Sequence, residues 1–183
     1  MILSLLRRNR AKATIEALYG AIVAQARAPA FYQRYGVPDT VEGRFEMMAL
    51  HVWLVSDRIA REAGDHRTLG QGLFDRFCVD LDHNLREMGV GDLTVPRRMK
   101  GYAEAYLGRS EAYRTALGAD DGSSLAAALA RNVFGEPETV PPARQLAGYV
   151  RSAARLLDAA PFAGIAAGSV RFPDPEIHVA VPA

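Results

Sequence analysis

The sequence predicts an all-α protein, a single compact helical domain of about six to seven unequal helices that ends in an irregular tail. Apolar residues recur at spacings of three and four along most of the chain, which is the period of an amphipathic helix. Prolines and glycines interrupt that period at uneven intervals, which favours a compact array over a regular bundle. The chain has 183 residues, of which 49% are hydrophobic, so it can bury one core.

The first half of the chain contains three helical patterns. The first ends before Pro29, because the residue preceding a proline is pushed out of the α region. The second is expected over residues 39–63 and is apolar on much of its circumference, which predicts a central helix. The third is expected over residues 68–88, where Thr68 and Gln71 have the spacing of a capping box.

Shorter helices are expected in the second half. A fourth helix covers residues 96–107, where Gly108 is expected to break it and Ser110 to cap a fifth helix. An alanine-rich helix should end before Gly135, since glycine commonly follows the last turn of a helix. A last long helix is expected over residues 141–159, because two prolines open it and an apolar stripe follows them.

Both ends of the chain depart from this pattern, which leaves residues 13–160 as the helical domain. In residues 161–183, four prolines and two glycines exclude a long helix, so we expect an extended or partly disordered tail. In residues 1–12, an apolar run precedes a cationic one, which suits a short segment that dips into a membrane interface. A frayed terminus or an extra turn of the first helix is the alternative. The candidate membrane residues are Leu3, Leu5, Leu6, Arg7, Arg8 and Arg10.

Composition and motifs argue against several classes of protein. The net charge of +1 argues against a general polyanion binder, and we expect no DNA partner. The single cysteine, Cys78, excludes an internal disulfide and falls in an apolar pattern, which indicates a small buried hydrophobe. The chain has no GxxxxGK[ST] phosphate loop, no paired-cysteine zinc spacing and no GxSxG elbow. We therefore predict no catalytic residues, no metal and no cofactor.

One polar constellation keeps a metal or haem site open as an alternative. Asp80 and His83 stand three residues apart and share a helix face, and His51 lies on the preceding helix. A helical di-iron site uses two carboxylate–histidine pairs, however, and this chain offers one, with Asp in place of Glu. The competing interpretations are a core imidazole at His51 and a solvated pair of His83 with Glu87.

The segment between the third and fourth helices is the strongest candidate for a recognition surface. Its glycines permit backbone angles closed to other residues, and Asp92 and Thr94 can cap the next helix. Three cations then stand at the start of that helix, where the helix dipole disfavours positive charge. Charge kept in an unfavourable position favours a partner that needs it, such as RNA, an acidic protein or lipid headgroups. A solvated helix end is the competing interpretation. The candidate partner-binding residues are Gly89, Val90, Gly91, Asp92, Pro96, Arg97, Arg98, Met99, Lys100 and Tyr102.

Several separate stretches, taken in order, resemble the ubiquinol–cytochrome c chaperone family. The similarity covers roughly residues 15–135 and is most specific from Asn84 to Lys100. The stretches are Gly36–Thr40, Gly43–Met48 with Leu50 and His51, Leu73–Asp75, Asp80–Asp82, Asn84–Leu93 and Val95–Lys100.

This resemblance implies a function. Members of the family are assembly factors without enzymatic activity, which bind newly made cytochrome b, contact the ribosome and act with a small partner protein. Because the chain lacks a long transit peptide, it looks like a bacterial-type member. It is then expected in the cytoplasm, with peripheral attachment to the cytoplasmic face of the inner membrane as a further expectation. The competing interpretation is a helical-bundle protein that binds metal or haem through His51, Asp80 and His83.

Overall fold

The computed structural model describes residues 2–64, 66–119 and 122–177, with side chains described from residue 9 onward. Within these ranges the chain forms eight α-helices and one π-helical turn, which confirms the all-α prediction. The elements are α1 (Ile2–Ala26), α2 (Pro29–Gln33), α3 (Val41–Arg61), α4 (Arg67–Glu87), α5 (Val95–Gly118), α6 (Gly122–Leu129), the π-helical turn (Ala130–Phe134), α7 (Pro141–Ala159) and α8 (Phe162–Ala166).

Helix α3 forms the centre of the domain, as its broad apolar pattern predicts. It packs against α1, α4, α5 and α7, and most of its residues are buried. The helix begins after Thr40, whose hydroxyl accepts a hydrogen bond from the Gly43 N–H at 3.1 Å. Gly43 is required by a close approach, because a Cβ there would lie 1.9 Å from the carbonyl oxygen of Pro38. Thr40 rather than Asp39 is therefore the capping residue.

Helix α5 corrects the expectation of two short helices. It runs without interruption past Gly108, which faces open space on an exposed side of the helix. A glycine in a helix costs about 1 kcal/mol relative to alanine, which the buried face of α5 offsets. Ser110 does not cap a new helix, since its hydroxyl donates to the Tyr106 carbonyl at 2.7 Å, a bond of the helix interior.

The predicted capping box at the start of α4 is also wrong. The helix begins one residue earlier than expected, at Arg67, after a cap at His66 whose side chain bonds no helix amide. Thr68 and Gln71 thus lie inside the first turns, and Gln71 donates its amide to Asp75 at 2.7 Å instead. The capping signal was misleading because both residues fit a helix surface as well as a helix end.

The tail contains the short helix α8 and then residues 169–177, which we call the C-terminal strap. The strap is irregular and lies on the domain surface. This agrees with the expectation of an extended tail, in which residues 170–172 form a segment laid on the surface. Gln25 donates its amide to the Pro173 carbonyl at 2.9 Å, and the Tyr35 hydroxyl donates to the Pro175 carbonyl at 3.1 Å. A second extended segment is expected from the sequence at residues 177–181. Beyond Ile177 these residues lie outside the described part of the chain, so this expectation stays a prediction.

The strap lies against a group of aromatic side chains that we call the closed cluster. The His51 and Phe172 rings meet at a centroid distance of 5.2 Å, and the Phe31 and Tyr149 rings at 4.8 Å. Four of its five members are buried, and Phe172 of the strap is half-buried. The cluster comprises Phe31, Tyr35, His51, Tyr149 and Phe172.

At the N-terminus the backbone of α1 is helical from Ile2 onward, which agrees with an extra turn of the first helix. Arg10 is exposed. The side chains of Leu3, Leu5, Leu6, Arg7 and Arg8 lie outside the described part, so their contact with a membrane stays a prediction. Among the helices that the structure describes, none combines the length and the hydropathy needed to cross a bilayer.

Candidate functional site

An open cleft of about 320 Å³ lies where the first turns of α3 meet the last turns of α4. The start of α5 forms one wall through Tyr102, and Arg27 just beyond α1 reaches the rim. This volume lies at the small end of the range for ligand pockets, about 300–1,000 Å³. The cleft is lined by Arg27, Val41, Arg44, Phe45, Met48, Phe77, Asp80, Leu81, Asn84, Leu85, Glu87, Met88 and Tyr102.

Three aromatic rings form the apolar wall of the cleft. The Phe45 ring lies 4.5 Å from that of Tyr102 and 6.1 Å from that of Phe77, the latter nearly parallel at 18°. Phe45 and Phe77 are buried and Tyr102 is half-buried. Val41 and Met88 at the rim keep 47% and 49% of their surfaces exposed. The cleft therefore offers apolar surface that remains exposed to solvent in the described part of the chain.

Three of the four charged side chains that line the cleft have a hydrogen-bonding partner within the protein. The Arg44 guanidinium donates to Asp39 at 2.7 Å, and Glu87 pairs with His83 at 3.1 Å. Asp80 accepts hydrogen bonds from the Tyr19 hydroxyl at 2.9 Å and from the Asn84 amide at 3.3 Å.

Arg27 differs from the other charged groups in the cleft. It is exposed, and no carboxylate of the described residues forms an ion pair with it. Its charge acts on the phenols of Tyr19 and Tyr32, but neither phenol is an anion, because burial raises the pKa of both. One positive charge on the rim is therefore left without a counter-ion.

The loop that follows α4 is held in one shape by its backbone and by Arg86. Gly89 has a φ of +79°, and the N–H groups of Gly89 and Val90 donate to the carbonyls of Arg86 and Leu85 at 2.9 and 3.0 Å. This is the Schellman ending that the glycine predicts. The Arg86 guanidinium bonds Asp82 in its own helix and Asp92 in the loop. Asp92 therefore fixes the loop rather than capping α5, and the Thr94 side chain makes no cap bond either.

Beyond this loop, α5 presents cations and an apolar side chain to solvent. Leu93 is 98% exposed, and Arg97 and Arg98 are exposed without an ion-pair partner among the described residues. Lys100 lies 3.7 Å from Glu104, a weak surface pair. Arg98 precedes Tyr102 by one helical turn on the same face of α5, so the cationic turn adjoins the cleft wall. Pro96 lies in the first turn, as expected.

The alternative metal site is not assembled. His51 is fully buried in the closed cluster, whereas His83 is exposed and pairs with Glu87. Asp80 is bound to Tyr19 as described above. Among the described residues, no group of three His, Cys, Asp or Glu side chains is placed to hold a metal ion. Cys78 is half-buried, and burial raises the pKa of its thiol.

The fully satisfied bonding of His51 explains its position. Its Nδ1 lies 2.8 Å from the Met47 carbonyl oxygen, which only accepts, so Nδ1 carries the proton and donates. Its Nε2 then accepts from the Tyr149 hydroxyl at 2.8 Å, and Tyr149 accepts from the Gln25 amide at 2.9 Å. Burial lowers the pKa of His51 to about 4, so the imidazole is neutral near pH 7. The prediction of a core imidazole bonded to a carbonyl is confirmed.

Sequence reasoning placed part of this site. The predicted surface and the cleft share Tyr102, and Met88 links the cleft to the predicted loop. Arg27 was missed, because it lies after the end of α1 and carries no motif. Phe45 and Phe77 belong to the apolar stripes of α3 and α4. The spacing of a stripe predicts that its residues are apolar and face inward, but it does not predict that these two rings line a cleft.

Comparison with known proteins gives a consistent result. A family model described as ubiquinol-cytochrome C chaperone matches residues 33–172. A ubiquinol-cytochrome-c reductase complex assembly factor 1 from Xenopus laevis is 27% identical over 156 residues, which cover 84% of this chain and 78% of the relative. The protein of that name from Drosophila melanogaster is also 27% identical, over 84% of this chain but 61% of its own length.

A solved structure shares the whole fold. The crystal structure of the Cbp3 homolog from Brucella abortus has a TM-score of 0.85 and 41% sequence identity. The superposition covers 96% of this chain and 98% of that chain. The helical array, with its α8 and C-terminal strap, therefore lies within the common fold.

Proposed function

Because the chain belongs to the ubiquinol–cytochrome c chaperone family, we propose that it is a non-enzymatic assembly factor that binds newly made cytochrome b. The observation that carries this proposal is the position of the stretches that resemble the family. Three of them, separated in sequence, meet at the cleft and supply nine of its thirteen lining residues. These nine are Arg44, Phe45, Met48, Asp80, Leu81, Asn84, Leu85, Glu87 and Met88.

The chemistry of the surface fits a client that comes from a membrane protein. Such a client exposes apolar segments until it is inserted, and it needs a surface that covers them without reacting with them. The cleft and Leu93 present apolar groups to solvent next to polar ones, a combination that marks interaction sites. The rigid loop between them, fixed by Arg86, keeps these apolar groups in place before the client arrives.

We extend the proposal to the ribosome and to a small partner protein. Arg97, Arg98 and Lys100 form an exposed cationic turn beside the cleft, suited to phosphate or carboxylate groups. Ribosome contact through this turn would bring the cleft close to the emerging client. Such contact should weaken steeply with salt, because each neutralised phosphate releases counter-ions. Co-sedimentation with ribosomes at rising salt tests it, and salt-independent association would contradict it.

We also propose that residues 1–12 attach the protein to the cytoplasmic face of the inner membrane. The apolar run followed by a cationic run supports this, since each cation near an anionic surface contributes about 1 kcal/mol. Liposome flotation compares the full chain with a chain that starts at Lys12. Equal partition of the two onto anionic vesicles would reject membrane attachment through this segment.

The main proposal is tested by deletion and complementation. In the source organism, deletion should lower assembled ubiquinol–cytochrome c reductase and the cytochrome b haem signal of membranes. Complementation with Met88→Asp, which puts charge at the cleft rim, should fail, whereas Leu156→Asp should succeed. Leu156 is a matched control because it is 41% exposed and lines no part of the cleft. Unchanged cytochrome b haem in the deletion strain would refute the proposal.

A further inference from the structure

We propose that the cleft selects a chain segment in which a large apolar side chain stands next to a carboxylate. This inference rests on the proposed function in taking the cleft as the client-binding surface, and it adds the chemistry that the surface recognises. It follows from the balance of charges around the cleft rather than from its apolar lining alone.

Arg27 is the one charged side chain of the lining that has no hydrogen-bonding partner among the described residues. Of the four charged side chains in the lining, Arg44, Asp80 and Glu87 already have partners of the protein's own. Arg27 has no carboxylate partner among the described residues. An occupant that enters beside Arg27 therefore gains an ion pair if it brings a carboxylate, and it leaves two cations facing each other if it brings a lysine or arginine.

Two exposed cations of the adjacent turn of α5 have the same sign as Arg27. Arg97 and Arg98 are exposed and unpaired by any described carboxylate, and Arg98 shares the face of α5 that carries Tyr102. An occupant of the cleft would thus meet positive charge at Arg27 and from the cationic turn of α5. The apolar part of the occupant would contact Val41, Met88 and the three rings. The small volume limits this part to one or two large side chains.

A peptide array tests this specificity. The array presents Phe, Leu or Met next to Glu, Gln or Lys in every order, and it is probed with the labelled full chain. The peptides with Glu should bind roughly 2- to 5-fold more protein than their Lys counterparts, as expected for a partly exposed ion pair. The preference should shrink at high salt, because screening weakens exposed pairs.

Variants assign the preference to the cleft. Arg27→Gln should reduce the difference between Glu and Gln peptides, and Met88→Ser should lower binding of all apolar peptides. Arg144→Gln serves as the control, since this exposed arginine lies in the first turn of α7 and outside the cleft. A preference for Lys, no preference, no binding above background, or a preference that Arg27→Gln leaves undiminished would each overturn the inference.

The same protein samples separate this inference from the proposed function. Affinity capture from cells with ongoing translation reports whether cytochrome b is bound at all. Capture of cytochrome b by a chain that shows no acidic preference on the array would contradict this inference alone. An acidic preference without capture of cytochrome b would contradict the proposed function alone.

Discussion

The closed cluster and the open cleft are both built around aromatic rings, but among the described residues another part of the chain covers only the cluster. The C-terminal strap lies over the cluster and contributes Phe172 to it. The cleft is lined by Phe45, Phe77 and Tyr102, and it remains open to solvent across the described part of the chain. The two regions contain the same types of residue. They differ in how much of their apolar surface is covered and in how many of their polar groups have a partner within the protein.

In the closed cluster every polar group that enters has a partner. Gln25, Tyr149, His51 and the Met47 carbonyl form one chain of hydrogen bonds with no donor left over. In the cleft, by contrast, apolar surface is exposed and Arg27 lacks a counter-ion within the described ranges. A region whose polar groups are paired and whose apolar surface is covered stabilises the fold. A region with exposed apolar surface and an unpaired charge can bind a partner.

Truncating one ring in each region should separate these roles, and it has the largest expected effect. Phe31→Ala removes a fully buried ring and should lower the free energy of unfolding by about 3–5 kcal/mol. Tyr102→Ala removes a half-buried ring and should cost about 1–2 kcal/mol. Urea unfolding measures both. Tyr102→Ala should reduce cytochrome b capture, and equal stability losses in the two variants would break the distinction.

The pH dependence of stability should contain a contribution from the closed cluster, through His51. The pKa of His51 is lowered to about 4 in the folded protein from 6.5, so between these values the unfolded chain binds the proton. Stability should therefore fall as the pH drops from about 6.5 towards 4, by about 2 kcal/mol at pH 5.

A variant that cannot titrate isolates this contribution. His51→Asn keeps a donor for the Met47 carbonyl, because its amide nitrogen is bonded to Cγ as Nδ1 is, and its stability should lack the histidine part of the pH dependence. The measurement is urea unfolding of both proteins at pH 7.5 and pH 5. An equally large loss in the variant would show that another group causes it.

Charge reversal beside the cleft should change binding with little change in stability. Arg97→Glu/Arg98→Glu/Lys100→Glu removes two first-turn cations that oppose the dipole of α5, at roughly 0.3–1 kcal/mol each in stability, and it also removes the weak Lys100–Glu104 pair. The melting temperature should therefore stay level or rise slightly. Capture of cytochrome b or ribosomes should fall, most clearly at low salt.

The start of α7 offers a matched control for this charge reversal. Both helices carry a proline and an arginine in their first turn, and Arg144 is exposed as Arg97 and Arg98 are. Arg144→Glu should leave capture unchanged. A large drop in melting temperature for the triple variant would show that these cations are structural, and undiminished capture would place the recognition surface elsewhere.

The closed cluster and the cleft also differ in how far the sequence predicts them. The long helices follow from spacing alone, because apolar stripes fix both the helix and its buried face, and α3 was predicted as central for this reason. The predicted break at Gly108 was wrong because local propensity counts a glycine as a break, whereas the buried face of α5 determines the outcome.

Long-range contacts account for the rest. The strap depends on bonds from Gln25 and Tyr35 to carbonyls more than a hundred residues away, which no local pattern encodes. The cleft depends on how the ends of α3 and α4 diverge, and on Arg27, which carries no motif. The loop at Gly89 was predictable, since a glycine after the last apolar residue of a helix indicates its left-handed ending.

Site-specific photo-crosslinking tests most directly whether the cleft binds newly made cytochrome b. A photoreactive amino acid replaces Met88 at the cleft rim in one strain and Leu156 in another, two apolar side chains with similar exposure of 49% and 41%. Irradiation during ongoing translation, followed by immunoprecipitation of cytochrome b, should yield an adduct from position 88 and none from position 156. An adduct from position 156 alone, or none from position 88 in cells that assemble the complex, would contradict the account.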